Sequence, residues 1–181
     1  SKANYSSVKS LTQNIPQEMN KYIDTEKYYC KGSAGEGNFN EVPWVGIFDR
    51  EITTSARKGY YIVYLFNSEM KGVYLRLALG WTQYADVHSG RNRLKKARQH
   101  IKDHSLKAKR LLRSTQGFEK GDIDLSATND LGKGYESGGV IHKFYKKNNL
   151  PSDDQIIVDL HYMIGVYREL KGILGKDVFT F

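Results

Sequence analysis

The chain has 181 residues, of which 39% are hydrophobic and 27% are charged, and its net charge is +8. This composition fits one globular domain over residues 1–181 and excludes a disordered or fibrous protein. No apolar run approaches the roughly 20 residues of a membrane span, and there is no signal-peptide pattern. The single Cys30 cannot form an internal disulfide, so we expect a cytoplasmic, reducing compartment. Because the chain begins at Ser1 and not at Met, we expect a domain excised from a longer protein.

The N-terminal part is predicted to hold a broken helix followed by two strands. Apolar residues recur every three or four positions across residues 5–23, which indicates a helix that Pro16 kinks or divides. A short strand is predicted over residues 28–31. The glycine-rich stretch 32–38 indicates a loop with unusual backbone angles, and residues 42–48 indicate a second strand.

The clearest strand signal lies in the middle of the sequence. Residues 59–66 and 73–79 are rich in Tyr, Val, Ile and Leu and are joined by a short connection, which predicts a β-hairpin. Tyr61, Val63 and Leu65 share one face of the first strand, and the opposite face is equally apolar. We therefore expect this strand to be central in its sheet and covered on both sides.

The positive charge is concentrated in one predicted helix, over residues 88–115. Residues 91–113 contain ten Lys and Arg and one acidic residue, so this segment carries +9 and the remainder is nearly neutral. A broken apolar stripe, which includes Leu94, Ile101 and Leu111, runs along the helix. The basic residues admit two interpretations, a solvated helix face or contact with nucleic-acid phosphates.

The last third is predicted to contain a short strand at residues 123–125, a second glycine-rich loop at 132–139 and a strand at 140–145. A closing helix is indicated by the capping sequence that begins at Ser152 and by apolar residues at helical period up to Leu174. Together these elements predict a single α+β domain. Its mixed or antiparallel sheet would be packed by N-terminal, central basic and C-terminal helices.

The sequence carries no pattern typical of an enzyme. There is no phosphate-binding loop, since Gly175-Lys176 lacks both the first glycine and the hydroxyl residue. His100 and His104 are four residues apart on a helix, but a histidine pair lacks a third metal ligand, and no cofactor is predicted. Glu169 and Lys171 form the Glu-x-Lys pattern of metal-dependent nucleases, but on a helix these two side chains diverge. We therefore predict a binding domain.

Aromatic residues beside glycine-rich segments indicate what the domain binds. Trp44 follows the first glycine-rich stretch, Tyr61 follows Gly59, and Tyr135 lies within residues 132–138. A tyrosine flanked by so much glycine has few local neighbours, so we expect it to stack on a ligand. Combined with a basic helix, such aromatic residues predict that the ligand is a nucleobase.

Several segments stand together in a characteristic order. They are Gly35-Glu36-Gly37-Asn38-Phe39, Val42-Pro43-Trp44, Gly59-Tyr60-Tyr61-Ile62-Val63-Tyr64-Leu65, Gly134-Tyr135 and the closing helix 156–174. This set resembles the N-terminal domain of McrB-type proteins, which belong to modification-dependent restriction systems. The resemblance implies a domain that binds duplex DNA and flips a modified cytosine, 5-methylcytosine or a relative, into an aromatic pocket. It also implies a motor or nuclease on the same chain or a partner subunit.

Individual roles follow from the resemblance by position. Tyr61 and Tyr135 would sandwich the flipped base, while Trp44 and Leu65 would line its pocket. The resemblance places Glu36 where the best-known member has an aromatic wedge, and because a carboxylate cannot stack, Asn38 or Phe39 would take that role. The residues expected to contact DNA are Gly35, Glu36, Gly37, Asn38, Arg57, Lys58 and Lys133.

Two other classes of function fit the same residues. An RNA-binding module of related shape would take an unpaired base in the aromatic pocket, and competition between single-stranded RNA and methylated duplex DNA separates it from the first hypothesis. A protein–protein interaction domain with an incidental basic helix would show no salt-linked binding of nucleic acid at all. The sequence leaves open which modification is read and which neighbouring bases matter.

Overall fold

Five strands form one antiparallel sheet in the computed structural model, which describes residues 2–34 and 42–180. Each strand pairs with the next one along the chain, so the sheet is a meander and wholly antiparallel. This architecture confirms the predicted α+β class. The strands are β1 (Tyr28–Ser33), β2 (Trp44–Asp49), β3 (Tyr60–Phe66), β4 (Gly72–Leu79) and β5 (Gly139–Lys146).

Helices flank this sheet. The N-terminal helix is divided by a π-helical turn, Ser10–Asn14, just before Pro16, as the proline predicted. The described residues form six α-helices: α1 (Lys2–Lys9), α2 (Ile15–Met19), α3 (Trp81–Asp86), α4 (Arg93–Leu111), α5 (Asp130–Ser137) and α6 (Asp153–Leu174).

The predicted hairpin and the central position of its first strand are confirmed. β3 pairs with β4 from Tyr60↔Leu79 to Phe66↔Val73, and six of its seven residues are buried. Helix α6 covers one face of β3, where the Tyr167 hydroxyl donates a hydrogen bond to the Tyr60 carbonyl at 2.8 Å. The face that carries Tyr61 is therefore turned away from α6.

The closing helix begins as its sequence predicted. The Ser152 hydroxyl oxygen accepts a hydrogen bond from the Gln155 amide at 3.2 Å, which satisfies one of the free amides of the first turn. From there α6 runs for 22 residues to Leu174.

The predicted strand at residues 123–125 is wrong. Ile123 and Leu125 are buried, but this segment is irregular. The Leu125 amide donates to a Glu136 carboxylate oxygen at 2.8 Å, and the Leu125 carbonyl accepts from the Ser68 amide at 2.9 Å. Two buried side chains at alternate positions therefore gave this segment the sequence pattern of a strand. Its backbone groups, however, form hydrogen bonds outside a strand ladder.

The predicted loop at residues 132–139 is also wrong, because most of it forms helix α5. Neither Gly132 nor Gly134 has a positive φ, so conformational freedom is not why glycine stands there. A Cβ at Gly134 would lie 2.3 Å from the Trp81 indole, and one at Gly132 would lie 2.6 Å from the Ala127 Cβ. These glycines allow α5 to pack closely against α3, and Tyr135 is a helical residue with core neighbours.

The predicted basic helix is present but shorter than residues 88–115, and a separate helix, α3, precedes it. Ala97, Ile101 and Ala108 on α4 are buried, as the stripe predicted, whereas Leu111 is 42% exposed. Leu111 belongs to the last turn, where the chain leaves the helix, so the apolar contact passes to the buried Leu112.

Candidate nucleic-acid interface

The four residues predicted for the base pocket line a single cavity on the sheet face opposite α6. Tyr61 and Leu65 project from this face of β3, and Trp44 of β2 lies directly across from Leu65 in the strand register. Tyr135 reaches the same cavity from α5. Small or apolar side chains complete the lining: Ala56, Val63, Ala78 and Leu79.

This cavity, which we call the aromatic cavity, is collapsed. Its volume is about 10 Å³, which corresponds to room for about one water molecule. Trp44 is 8% exposed and Tyr61 is 3% exposed, whereas Tyr135 is only half-buried. A ligand as large as a nucleobase therefore enters only when a lining side chain moves.

Tyr61 is held firmly in the wall of the aromatic cavity. Its hydroxyl donates a hydrogen bond to the Ala56 carbonyl at 2.8 Å, and its ring centroid lies 4.9 Å from that of Phe48. Burial raises the pKa of Tyr61 well above its ordinary value, so the hydroxyl stays protonated and remains a donor.

Tyr135 lies beside Trp44 in the wall of the aromatic cavity. Burial raises the pKa of Tyr135, while the neighbouring Trp44 and the positive charge of Arg57 act in the opposite direction.

Arg76 fixes the end of α5 that carries Tyr135, and the sequence analysis missed it. This β4 residue is fully buried, and its guanidinium donates to the carbonyls of Tyr135 and Glu136, the latter at 2.9 Å. Among the described residues no carboxylate lies within ion-pair distance of it, and burial lowers the pKa of Arg76 to about 10. A cation at the carbonyl end of a helix is favourable. The one signal in the sequence was a lone charge within the apolar run of β4.

Two of the basic residues predicted to contact DNA lie beside the aromatic cavity. Arg57 and Lys58 are exposed and follow Ala56, which lines the cavity. Lys133 is exposed on α5, but because it is two residues before Tyr135 it points toward the other side of the helix. The predicted contacts Gly35, Glu36, Gly37 and Asn38, with the alternative wedge Phe39, lie outside the described residues.

The basic helix α4 does not line the aromatic cavity. On its side toward α3, three histidines form a cluster with Tyr84. The His88 Nε2 and His100 Nδ1 atoms are 2.9 Å apart, and the Tyr84 hydroxyl lies 2.8 Å from the His104 Nδ1. Burial lowers the pKa of both His100 and His104. Within residues 2–34 and 42–180, no group of three His, Cys, Asp or Glu is arranged to hold a metal ion.

The Glu-x-Lys pattern lies on α6, as predicted, and its side chains diverge into separate contacts. The Lys171 ammonium pairs with Asp49 at 3.0 Å and with Glu51 at 2.8 Å. The Glu169 carboxylate accepts a hydrogen bond from the Arg113 amide at 2.7 Å. Both residues therefore hold elements of the fold together.

Comparison with known proteins identifies the family. No curated protein matches the chain significantly. Every helix in the described part of the chain is too short or too polar to cross a membrane. A family model described as "MrcB-like, N-terminal domain" matches residues 1–172, which is nearly the whole chain. The chain therefore belongs to the MrcB-like N-terminal domain family, whose members are N-terminal domains of modification-dependent restriction proteins.

Proposed function

We propose that this domain binds duplex DNA and holds a flipped, modified cytosine, 5-methylcytosine or a relative, between Tyr61 and Tyr135. The observation that carries the proposal is that these two rings line one cavity together with Trp44 and Leu65. Base extrusion costs a few kcal/mol, and stacking on aromatic side chains returns about 1–3 kcal/mol per base. Two facing rings are therefore enough to offset extrusion.

Binding requires the aromatic cavity to open, and Tyr135 is the side chain that moves. Tyr61 is locked by its hydrogen bond to Ala56 and by Phe48, whereas Tyr135 is half-buried and lies on the eight-residue helix α5. When the Tyr135 ring swings aside, a base can enter beside Trp44. The indole N–H of Trp44 can then donate to an acceptor on the base edge.

Burial of one methyl group does not provide strong selectivity. It is worth about 0.8 kcal/mol, or about fourfold in affinity. Larger discrimination must come from the shape of the apolar wall that Val63, Leu65 and Ala78 form around the opened cavity. We therefore expect selectivity among modifications to depend on these three side chains.

The surroundings of the cavity fit a recognition module. Arg57 and Lys58 are exposed beside it, and Lys133 is exposed on the other side of α5. These three residues would contact backbone phosphates, which position the duplex without reading its sequence. In this proposal the domain itself is not catalytic. It acts in the cytoplasm as the specificity module of a restriction system, and a motor or nuclease in another domain or subunit acts on the bound DNA.

The test is a binding titration with matched duplexes. They carry no modification, 5-methylcytosine, 5-hydroxymethylcytosine, N4-methylcytosine or N6-methyladenine, and single-stranded RNA serves as competitor. We expect one modified-cytosine duplex to bind best. Tyr135→Ala should abolish this preference and keep the salt-dependent general binding, while Tyr29→Ala, at an exposed tyrosine of β1, should keep both. Equal affinity for all duplexes, or preference for the RNA, contradicts the proposal.

A further inference from the structure

A second cavity, of about 330 Å³, lies between α4, residues 120–122 and the start of β5. Ser137, near the end of α5, also lines it. Two side chains that are two residues apart on a helix point in nearly opposite directions. Tyr135 faces the aromatic cavity, so this second cavity, which we call the lysine cavity, lies on the other side of α5.

Cations surround the lysine cavity from two directions. Lys102 and Lys109 are seven residues apart on α4, with Ser105 between them, and this spacing puts all three on one face of the helix. Lys120 faces them from the segment before β5. Three lysines therefore line one cavity, in contrast to the basic residues elsewhere on α4.

The charge of this cavity is only partly neutralised. Lys102 pairs with Asp122 at 2.7 Å, but both side chains are about half exposed, and such a pair contributes little. Lys109 and Lys120 have no ion-pair partner among the described residues. The cavity thus keeps a positive charge that an anion would satisfy.

A buried hydroxyl group lacks a partner inside the same cavity. Ser105 is 4% exposed, and its Oγ has no hydrogen-bond partner among the residues that the structure describes. A buried polar group without a partner is unfavourable, and most such groups in proteins are satisfied. Because Ser105 lines the cavity between Lys102 and Lys109, its hydroxyl would donate to a bound oxyanion once the side chain turns toward the cavity.

We propose that the lysine cavity is a phosphate-binding site, in which Ser105, Lys109 and Lys120 hold the phosphate oxygens. The phosphate comes either from the DNA backbone or from a free nucleotide. The first source rests on the proposed function and is geometrically suitable, since the two cavities are separated by one helix. A helix is about 10 Å across, and that distance corresponds to about three base-pair steps. A phosphate held there would fix the register of the duplex relative to the aromatic cavity.

The first arm of the test measures duplex binding against KCl concentration for the whole chain. Lys109→Ala/Lys120→Ala should weaken binding of modified and plain duplexes alike by about tenfold and, because both lysines hold one phosphate, flatten the salt slope by about 0.9. Lys95→Ala/Lys96→Ala is the matched control, because it removes two exposed lysines of α4 outside the cavity. It should change affinity by less than about threefold, as expected for solvated charges.

Ser105→Ala tests the site without changing its charge. We expect weaker duplex binding, by about three- to tenfold, with folding stability unchanged or raised, because the variant removes a buried hydroxyl that lacks a partner. The second arm titrates deoxycytidine 5′-monophosphate and the nucleoside deoxycytidine, and follows amide NMR shifts of Ser105 and Gly121.

The outcomes separate the sources. Loss of duplex affinity in the site variants, without nucleotide binding, assigns the phosphate to the DNA backbone. The phosphate is assigned to a free nucleotide if the nucleotide binds saturably and the nucleoside does not. In that case the same variants should lose nucleotide binding and leave duplex binding unaffected. Site variants that match the control in both arms overturn the proposal. If the wild type shows no preference for modified duplexes but the site variants still lose affinity, the proposed function fails and the phosphate site stands.

Discussion

Tyr61 and Tyr135 reach the aromatic cavity from two different supports. Tyr61 lies on the central strand of the sheet, is 3% exposed and donates its hydroxyl to a backbone carbonyl. Tyr135 is half-buried on a helix of eight residues whose packing depends on glycines and whose end is held by Arg76. A binding site with one rigid and one movable wall can be closed without a ligand and still present a fixed stacking surface.

The largest effect should come from removing the group that holds the movable wall. Arg76→Met leaves the carbonyls of Tyr135 and Glu136 without their buried donor, and we expect a loss of about 2–4 kcal/mol in the free energy of unfolding. Urea denaturation measures it. Hydrogen exchange should accelerate in α5 more than in β3. Equal acceleration in both elements would show that the two walls are not independent.

A smaller effect should follow from forcing α5 away from α3. Gly134→Ala brings a Cβ to 2.3 Å from the Trp81 indole, and overpacking of this kind costs about 1–3 kcal/mol. Urea denaturation should show this loss of stability, and the preference for modified duplexes should decrease. Gly172→Ala on α6 is the control, since nothing lies within 4 Å of a Cβ there. That variant should raise stability by up to about 1 kcal/mol. A Gly134→Ala variant as stable as this control contradicts close packing of α5.

The two tyrosine hydroxyls should differ in what they contribute. Tyr61→Phe removes a buried hydrogen bond to Ala56 and should cost about 1 kcal/mol in stability. Tyr135→Phe removes a hydroxyl at a half-buried position, where water can replace its hydrogen bonds, and should cost less. A larger loss of stability in Tyr135→Phe than in Tyr61→Phe would contradict the assignment of Tyr61 to the rigid wall and Tyr135 to the movable wall.

The smallest effect should be a loss of folding stability at acidic pH that leaves the aromatic cavity unchanged. The pKa values of His100 and His104 are lowered in the folded protein, so unfolding takes up protons below their ordinary pKa, and stability falls as pH drops through that range. Tyr61 and Tyr135 have raised pKa values and do not titrate there. Urea midpoints at pH 7.5 and 5.5 should differ, and His100→Gln/His104→Gln should reduce the difference.

The aromatic cavity provides the internal control for the acid effect. Duplex selectivity should be the same at pH 7.5 and at pH 5.5. An acid-sensitive selectivity would mean that the histidine cluster and the aromatic cavity are coupled.

The sequence predicted those elements correctly that are determined by residues close together along the chain. The alternation around Tyr61 predicted a strand that is buried on both faces, and the cap at Ser152 predicted the start of α6. Both signals arise from neighbours along the chain. The prediction that Trp44, Tyr61, Leu65 and Tyr135 come together relied on the family resemblance, because they lie on three different elements.

The errors have a common physical origin in contacts between distant parts of the chain. Gly134 is glycine because Trp81 approaches it, and no local rule contains that contact. Arg76 is buried because the last turn of α5 covers its guanidinium, and Gly139 leaves the necessary room. The sequence does not indicate that Ser105 lines a cavity, because that cavity forms only where residues 120–122 lie opposite α4.

The collapsed state of the aromatic cavity has a consequence for binding kinetics. Under the proposed function, a cavity of about 10 Å³ admits a base only after Tyr135 moves, so the first encounter with DNA would not sense the modification. Plain and modified duplexes would then associate at the same, charge-driven rate. The fraction of time that the cavity is open lowers the apparent affinity for every base. Selectivity then resides in how long the complex lasts, and the modified duplex is distinguished by its slower dissociation.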